Sequence, residues 1–476
     1  MRIAIVHYHL RIGGVSRVIE LACRALLKRP DISLAVLAGD VAPLSPIPNL
    51  VPVARIPGLD YKNPPSSLQK TELLQELKRN ACRLLKGAPD IWHLHNHSLG
   101  KNLALIEATA SLAKEGYAML LQIHDFAENQ RLENYQHLIH AYGSPLEVGN
   151  LLYPSAPRIA YALLNSRDMT LLQRIRFSGK LFLLPNPTLP PSVTHHPHPK
   201  RRGAARFITY PCRSIRRKNI GEALLFACTL PKKGSRLALA MPPRASNERL
   251  SYARWKSIAN RWLIPAEFIH SSLNMSIGDL MSSSEALLTT SLEEGFGMVF
   301  LECWLFNKPI LGRDIPLITA DLRSTGIILD SLYDFLGIPI SLIGKKQVYQ
   351  SLFHHLWQNA TAVGMPVEAQ LCERMLQRAF RGDQVDFSWL DPTLQERVLY
   401  LASQSSAVAR DFFPKPPTPT SLETIQLNRS VVKREYSLER YLARLLEIYS
   451  AIVSAPMAPV NSAGKSLDIF REFLLI

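Results

Sequence analysis

Residues 291–307 read SLEEGFGMVFLECWLFN, and this stretch decides the fold more than any other part of the chain. A loop with paired acids and two glycines runs directly into an apolar segment that contains one glutamate, Glu302. Gly295 and Gly297 let the backbone approach a bulky ligand closely, and the helix that follows would direct its first free N–H groups toward that ligand. Because apolar residues flank Glu302 on both sides, we expect a buried helix in which this carboxylate needs a partner. The stretch predicts a site for an anion-bearing, hydroxyl-rich molecule.

The two acids Glu294 and Glu302 stand in an E-x7-E arrangement within EGFGMVFLE. This motif resembles that of the retaining nucleotide-sugar glycosyltransferases of family four, which have the GT-B fold. The resemblance implies that Glu294 meets the donor sugar and that Glu302 binds the ribose hydroxyls of the nucleotide. The loop residues implied to meet the donor with Glu294 are Gly295, Phe296, Gly297 and Met298. In the alternative interpretation, Glu294 is a solvated loop acid and Glu302 belongs to a structural ion pair.

Length and composition bound the class of protein. A chain of 476 residues that is 47% hydrophobic and 20% charged is typical of a globular protein with two large domains. The formal net charge of +16 favours anionic ligands, acidic lipid surfaces or nucleic acid without choosing among them. Without a long apolar run or a signal-peptide pattern, the chain is expected to be cytoplasmic, with peripheral contact with an anionic membrane left open. The six cysteines form no C-x-x-C pair, which argues against a zinc knuckle or a disulfide framework.

Two series of short apolar runs predict an α/β architecture. The first series is IAIVHY, ISLAVLAG, IWHLHN, AMLLQIHD, IAYALLNS and LFLLPNP, with helix-like stretches between several of the runs. The proline-rich segment 185–206 reads as an interdomain linker, and the pattern then restarts with RFITYPC, RLALAMP, EFIHSS, EALLTTS, KPILGRD and GIILD. This alternation is typical of βαβ units with parallel sheets.

The resemblance and the repeated pattern together predict a GT-B fold. In such a fold two Rossmann-like, doubly wound domains face one another across a cleft at the carboxyl ends of both sheets. We expect an N-terminal, acceptor-side domain at 1–190 and a donor-binding domain with an extra helical region at 191–430. A crossover helix at 431–455 and a C-terminal tail at 456–476 would follow.

The last part of the chain carries two helix signals. Asp391 and Pro392 are a good N-cap and first-turn pair for a helix through LQERVLYLA, and FPKPPTPT after it predicts an extended break. Farther on, Ser437 is a candidate cap for a helix with one apolar face, formed by Leu438, Tyr441, Leu442, Leu445, Tyr449 and Ile452. The resemblance implies that this second helix crosses back to the N-terminal domain. Residues 341–428 are longer than the usual ending of the family, and the sequence assigns them no role.

Arg213 and Lys218 lie just past the run RFITYPC, in CRSIRRKN. They match the family's arginine and lysine that grip the donor diphosphate. A leaving diphosphate gains negative charge as the glycosidic bond breaks, and a fixed guanidinium and ammonium stabilise that charge. A basic surface turn is the alternative interpretation.

His124 ends the run AMLLQI, at the end of a strand where the side chains of ligand sites in α/β sheets tend to lie. The family commonly has a histidine near the donor sugar at this point, so His124 is our candidate catalytic residue, and a structural histidine is the alternative. Gly13 and Gly14 form a strand-to-helix turn that would bring backbone amides to an anion. The resemblance implies a glycine-rich loop against donor or acceptor here, whereas a simple tight turn is the other interpretation.

Two further groups of polar residues attract attention. His93, His95 and His97 alternate along WHLHNH, so they would share one strand face. No carboxylate or cysteine completes a zinc spacing, and the resembling enzymes hold no divalent metal on protein ligands, so we predict cleft or core imidazoles and no metal site. Glu128 and Arg131, in HDFAENQR, are positioned to face an acceptor, although no motif requires it.

The predicted function is retaining transfer of a sugar from a nucleotide diphosphate sugar to an acceptor hydroxyl, without a cofactor or a protein-held metal. The first alternative is a nucleic-acid-binding protein, because basic residues cluster at Lys200, Arg201, Arg202, Arg206, Arg213, Arg216, Arg217 and Lys218. No stacking aromatics interleave with them and no reader motif is present, so we expect no nucleic-acid partner. A nucleotide-sugar epimerase or a phosphorylase is a further alternative, in which the Glu-x7-Glu loop is not expected.

Overall fold

A computed structural model shows how the chain folds, and it divides into two compact units. Unit 1 is Met1–Pro187 with Tyr436–Ile476, and unit 2 is Thr188–Glu435. The residues that the structure describes are 1–11, 13–41, 47–60, 67–129, 131–190, 206–231, 234–243, 246–269, 276–361, 366–367, 369–413, 420–463 and 465–474. Most of the predicted linker 185–206 and of the predicted break FPKPPTPT therefore lies outside the described residues.

Unit 1 is built on a seven-stranded parallel sheet in the order β3-β2-β1-β4-β5-β7-β8. The strands of this sheet are β1 (Arg2–His9), β2 (Ser33–Asp40), β3 (Val53–Arg55), β4 (Ile91–His95), β5 (Ala118–Ile123), β7 (Ile159–Leu163) and β8 (Lys180–Leu183). The short strand β6 (Pro154–Ser155) lies outside this sheet. The first helices of unit 1 are α1 (Gly14–Leu26), α2 (Ser67–Leu85), α3 (Leu103–Lys114), α4 (Leu132–Tyr142), α5 (Pro145–Leu152) and α6 (Ser166–Arg174). Strands β4, β5 and β7 are buried along their whole length, as parallel strands are when helices cover both faces of the sheet.

Unit 2 repeats the plan with a six-stranded parallel sheet in the order β11-β10-β9-β12-β13-β14. The strands are β9 (Arg206–Arg213), β10 (Ser235–Met241), β11 (Ala266–Phe268), β12 (Ala286–Thr289), β13 (Ile310–Arg313) and β14 (Leu332–Tyr333). The helices between them are α7 (Ile220–Cys228), α8 (Ser246–Arg261), α9 (Ile277–Ser283), α10 (Val299–Leu305) and α11 (Pro316–Ser324). The strand order reverses between β9 and β12, as it does between β1 and β4 in unit 1, which is the doubly wound topology that the sequence predicts.

The predicted last strand of unit 2 is wrong in position. The apolar run GIILD, residues 326–330, is not a strand, and the edge strand β14 begins two residues after it. Buried Asn428 explains the difference, because its side chain accepts from the N–H of Ile328 at 2.9 Å and donates to the carbonyl of Ile328 at 2.8 Å. A side-chain amide thus takes the place of a neighbouring strand.

The segment after β14 contains a small antiparallel sheet and several helices. The strands β15 (Gly337–Pro339), β16 (Phe380–Arg381) and β17 (Gln384–Asp386) pair in the order β15-β17-β16. The helices are α12 (Ile340–Ile343), α13 (Lys345–Thr361), α14 (Ala369–Ala379), α15 (Pro392–Gln404), α16 (Ser406–Asp411) and α17 (Leu422–Glu435). Asp391 caps α15 by accepting from the N–H groups of Thr393 and Leu394, as predicted, and α15 packs against α7.

The chain then returns to unit 1 through helix α18 (Leu438–Val453), strand β18 (Asn461–Ser462) and helix α19 (Ser466–Leu474). Ser437 caps α18 by accepting from the N–H of Arg440 at 3.2 Å. The apolar face of α18 packs into the core beside α1 and the first strands of the sheet. The predicted crossover helix is confirmed. Among the described residues, no helix combines the length and the apolar character needed to span a membrane.

Candidate active site

In unit 2 the predicted site residues follow two neighbouring strands where the strand order reverses. The turn after β9 leads to Lys218, and the loop after β12 leads to Glu294. Open α/β sheets bind ligands just outside the carboxyl ends of strands at this reversal point. The fold thus brings the two motifs, about 75 residues apart in sequence, to one edge of one sheet.

Four hydrogen bonds hold the turn after β9 in place. Tyr210 donates its hydroxyl hydrogen to the carbonyl of Lys218 at 3.1 Å. The hydroxyl of Thr290 reaches the carbonyls of Lys218 at 3.0 Å and Asn219 at 3.1 Å. The N–H of Leu292 donates to the carbonyl of Arg217 at 2.9 Å. These bonds fix the backbone of the basic turn against the loop that carries Glu294.

Lys218 and Glu294 form an ion pair between the two loops. Only 12% of the Lys218 side chain and 13% of the Glu294 side chain are exposed, so the solvent screens the pair weakly. Burial acts to raise the pKa of Glu294, but the charges of Lys218 and Arg217 outweigh it and lower that pKa below its ordinary value. Glu294 is therefore ionised at neutral pH.

The glycine loop has one conformation that demands glycine. Gly297 has φ +78, and a Cβ there would lie 2.6 Å from the ring of Phe300. Its neighbour Phe296 is buried, whereas Gly295 and Met298 are half-buried. The backbone can thus turn tightly from the acids into α10.

Glu302 is not buried, and this part of the prediction is wrong. Helix α10 has only seven residues, and it buries Phe300, Leu301, Cys303 and Trp304. Glu302 lies in the first turn on the half-buried side of the helix, together with Val299. A short helix can pack against the rest of its domain on one side only. A long apolar run therefore does not imply that every side of the helix is buried.

Arg213 is the last residue of β9, half-buried, and it lies at the edge where the turn begins. The predicted basic cluster is divided by that strand. Arg206 and Arg213 stand at opposite ends of β9, about 23 Å apart for seven steps of a strand. Lys200, Arg201 and Arg202 lie outside the described residues. Among the described residues of the cluster, Arg206 therefore stands apart from Arg213, Arg216, Arg217 and Lys218.

In unit 1, His124 follows β5 and belongs to a cluster of buried imidazoles. Its Nε2 lies 2.9 Å from Nδ1 of His95, which ends the neighbouring strand β4. His93 stacks on His95 with ring centroids 4.3 Å apart. Because the side-chain oxygen of Gln122 only accepts, His93 donates to it from Nε2 at 3.0 Å and accepts from the hydroxyl of Tyr449 at Nδ1, at 2.8 Å. Helix α18 is thereby connected to the histidines at the end of the sheet.

Burial keeps these imidazoles neutral. It lowers the pKa of His124 to about 4 and the pKa values of His7 and His93 to about 3. His124 is 6% exposed, more than the other buried histidines of the cluster. A neutral imidazole with an accessible edge can exchange hydrogen bonds with a sugar hydroxyl without adding a charge.

The prediction that three histidines share a strand face holds for His93 and His95 and is wrong for His97. Strand β4 ends at His95, and Asn96, with φ +56, turns the chain. His97 instead donates from Nε2 to the carbonyl of Leu152 at 2.8 Å. Asn96 also accepts from the N–H groups of His124 at 2.7 Å and Asp125 at 3.0 Å, so it positions the candidate catalytic loop.

Gly13 and Gly14 form the start of α1. Gly13 is the extended N-cap, and no side chain caps the helix there. Gly14 is exposed, and a Cβ at this position would meet nothing within 4 Å among the described residues. Within the described part of the chain, the position of Gly14 just after β1 therefore has open space around it.

Glu128 does not face an acceptor. It is buried and accepts from the hydroxyls of Tyr153 at 3.0 Å and Ser466 at 2.6 Å, and burial raises its pKa to about 7. Sequence reasoning missed the roles of Tyr449, Asn96 and Ser466, which contact His93, His124 and Glu128. Their roles depend on contacts between segments distant in the chain.

Comparison with known proteins agrees with this architecture. The chain is 25% identical to mannosylglucosyl-3-phosphoglycerate synthase of Petrotoga mobilis over 505 residues, covering 98% of this chain and 94% of that protein. In structure it is similar to sucrose-phosphate synthase of Thermosynechococcus elongatus, with a TM-score of 0.54, 13% identity and coverage of 94% of this chain and 98% of that one.

It is also similar to the catalytic domain of starch synthase IV of Arabidopsis thaliana, with a TM-score of 0.51, 10% identity and coverage of 95% and 99%. No family model matches the chain. The E-x7-E loop at the reversal point, the two doubly wound sheets and the full-length similarity to a curated glycosyltransferase together identify the chain as a glycosyltransferase of the GT-B fold.

Proposed function

We propose that the protein transfers a sugar from a nucleotide diphosphate sugar to an acceptor hydroxyl with retention of the anomeric configuration. One observation carries the proposal: the ion pair between Lys218 and Glu294 joins the diphosphate motif to the donor-sugar motif at the reversal point of one sheet. A single donor molecule has both a diphosphate and a sugar, so it requires both motifs in one place.

The basic turn would act on the leaving group. Arg213 and Lys218 hold the diphosphate and stabilise the negative charge that grows on it as the bond to the sugar breaks. Because the turn is already fixed by Tyr210 and Thr290, the ammonium does not need to move during the reaction. In this proposal catalysis depends on positioning and electrostatics and needs no metal held by the protein.

The glycine loop and its acids would bind the rest of the donor. Glu294, ionised at neutral pH, accepts hydrogen bonds from sugar hydroxyls together with the backbone of Gly295–Met298. Glu302, half-buried in the first turn of α10, binds the ribose hydroxyls. Neutral His124 would contact the sugar, and the backbone at Gly13 and Gly14 would contact donor or acceptor.

The proposed reaction needs no nucleophile from the enzyme. The bond between the anomeric carbon and the diphosphate oxygen breaks, and the acceptor oxygen forms its bond to that carbon on the same face. The acceptor proton passes to the departing phosphate oxygen. Exclusion of water from the site limits hydrolysis of the donor.

The identities of donor and acceptor are tested by a panel. UDP, GDP and ADP and their sugar conjugates are screened for a rise in Tm, because a ligand of the folded state stabilises it. The name of the Petrotoga relative combines a mannosyl unit, a glucosyl unit and 3-phosphoglycerate, so the panel includes mannosyl and glucosyl donors and phosphorylated, sugar-bearing acceptors. NMR of the first product formed gives its anomeric configuration, and an inverted product would overturn the retaining mechanism. Transfer that EDTA abolishes and a divalent cation restores would overturn metal independence.

The assignment of Glu294 is tested by Glu294→Gln, with Glu293→Gln as the matched control. Both variants lose one negative charge in the same loop. We expect Glu294→Gln to lower kcat by roughly 100-fold or more because it removes a charge aimed at the reacting sugar, and to lower Tm because it breaks the weakly screened pair with Lys218. Glu293→Gln should keep most of the activity. Equal turnover in Glu294→Gln and the wild type would refute the assignment.

A further inference from the structure

A buried cluster of charges lies behind the basic turn of unit 2. Arg313, at the end of β13, donates from Nε to both carboxylate oxygens of Glu222 at 2.8 and 3.1 Å. Its Nη1 and Nη2 reach the carboxylate of Asp386, at the end of β17, at 3.1 and 2.9 Å. Every nitrogen of the guanidinium is used, and each of the three side chains is at most 7% exposed. The cluster fastens the small antiparallel sheet to the main sheet.

The cluster continues into the turn through Asn219. This residue directly follows Lys218 and has a left-handed conformation, φ +48, which is uncommon for a residue other than glycine. Its Nδ2 donates to Glu222 at 2.7 Å, and its Oδ1 accepts from Gln395 of α15 at 3.3 Å. Glu222 of α7 and Gln395 of α15 therefore contact the residue that shapes the turn, and Arg313, which also binds Asp386, reaches it through Glu222.

We propose that Glu222, Arg313 and Asp386 are positioning residues that hold the turn of Lys218 through Asn219, and that the segment 337–404 serves the donor site in this way. The inference rests on the proposed function, in which Lys218 contacts the donor diphosphate. Arg313 neutralises one of the two carboxylates, and Glu222 also accepts hydrogen bonds from the Asn219 amide and from the hydroxyl of Tyr333. Much of this segment belongs to residues 341–428, to which the sequence assigns no role, and it holds the turn of Lys218 through Asn219.

The test measures affinity for a nucleoside diphosphate against affinity for its nucleoside, by calorimetry on the full chain. The nucleoside diphosphate used is the one among UDP, GDP and ADP that raises the Tm of the wild type most. The nucleoside with the same base is its comparison. Asn219→Gly keeps the left-handed turn accessible and removes the amide link, and Asp386→Asn removes a charge from the far side of the cluster. In both variants we expect diphosphate affinity to fall by about five- to tenfold, with nucleoside affinity unchanged.

Two comparison variants separate positioning from simple loss of stability. Arg254→Met removes the ion pair between Arg254 and Glu396 that joins α8 to α15, so it loosens the same segment without touching the turn, and it should leave diphosphate affinity at the wild-type value. Lys218→Met should weaken diphosphate binding itself. Wild-type diphosphate affinity in Asn219→Gly and Asp386→Asn, or an equal loss of nucleoside affinity, overturns the inference alone. Wild-type diphosphate affinity in Lys218→Met overturns the proposed donor site, and this inference with it.

Discussion

Glu294 and Glu128 are both shielded carboxyl groups, and their surroundings give them opposite charge states. Lys218 beside Glu294 lowers its pKa against the effect of burial. Glu128 accepts hydrogen bonds from the hydroxyls of Tyr153 and Ser466, and burial raises its pKa from 4.5 to about 7. The presence of a cation, rather than the degree of burial, decides which carboxyl can act as a fixed negative charge.

Glu128 should make the stability of the protein depend on pH. The unfolded chain loses this proton near pH 4.5 and the folded chain only near pH 7, so the stabilising contribution is complete below pH 4.5 and is lost as the pH rises through 7. We expect Glu128→Gln to gain up to about 3 kcal/mol over the wild type between pH 4.5 and pH 8. Tm measured for both proteins across this range checks the effect, and a constant difference would contradict it.

Between secondary-structure elements, polar side chains form hydrogen bonds to backbone groups that are not paired within a sheet or helix. The segment around Ile328 lies at the edge of the unit 2 sheet without forming a strand. Asn428, fully buried on α17, satisfies both the N–H and the carbonyl of Ile328. This amide therefore links α17 to the segment that precedes β14.

Asn428→Ala should be destabilising. The change removes two hydrogen bonds to the backbone of Ile328, each worth about 0.5–1.5 kcal/mol. Gln426→Ala, an exposed change on the same helix, is the matched control and should stay within about 0.5 kcal/mol of the wild type. Urea denaturation of the three proteins makes the comparison, and equal midpoints for the two variants would show that the amide contributes nothing.

At the scale of the whole molecule, the two units differ in their buried ionisable groups. The buried histidines of the described residues, namely His7, His93, His95, His97 and His124, all belong to unit 1. In unit 2 the buried charges are paired, as in the cluster of Arg313, Glu222 and Asp386. Acid should therefore act on the two units unequally.

We expect unit 1 to open before unit 2 when the pH falls from 7 to 5. Burial lowers the pKa of these histidines, so their stabilising contribution is complete above pH 6.5 and is lost as the pH falls toward 3 to 4. At pH 5 the loss is about 2 kcal/mol for each imidazole. Hydrogen exchange followed by mass spectrometry, corrected for intrinsic rates, should show β4 and β5 losing protection before β9 and β12. The reverse order would contradict the expectation.

The positions of most strands and the starts of two helices follow from residues that are close together in the sequence. The alternation of apolar runs predicted most of the strands of both sheets, because a buried parallel strand must be apolar. Asp391 and Ser437 marked the starts of α15 and α18, because a cap bonds to amides only a few residues away. The spacing of Glu294 and Glu302 indicated the enzyme class before any contact was known. The proposed roles of these two acids await the tests above.

The burial and the hydrogen-bond partners of the polar side chains depend on how distant segments of the chain pack together. Glu302 is half-buried because α10 is a short helix that buries only one side. His97 is not on the strand face because β4 ends at His95. A short sequence motif predicts neither the length of the helix nor the end of the strand. The contacts of Tyr449 with His93, of Asn428 with Ile328 and of Arg313 with Asp386 span from 73 to 356 positions. Local patterns carry no information about such pairs, since they form only when distant segments pack together.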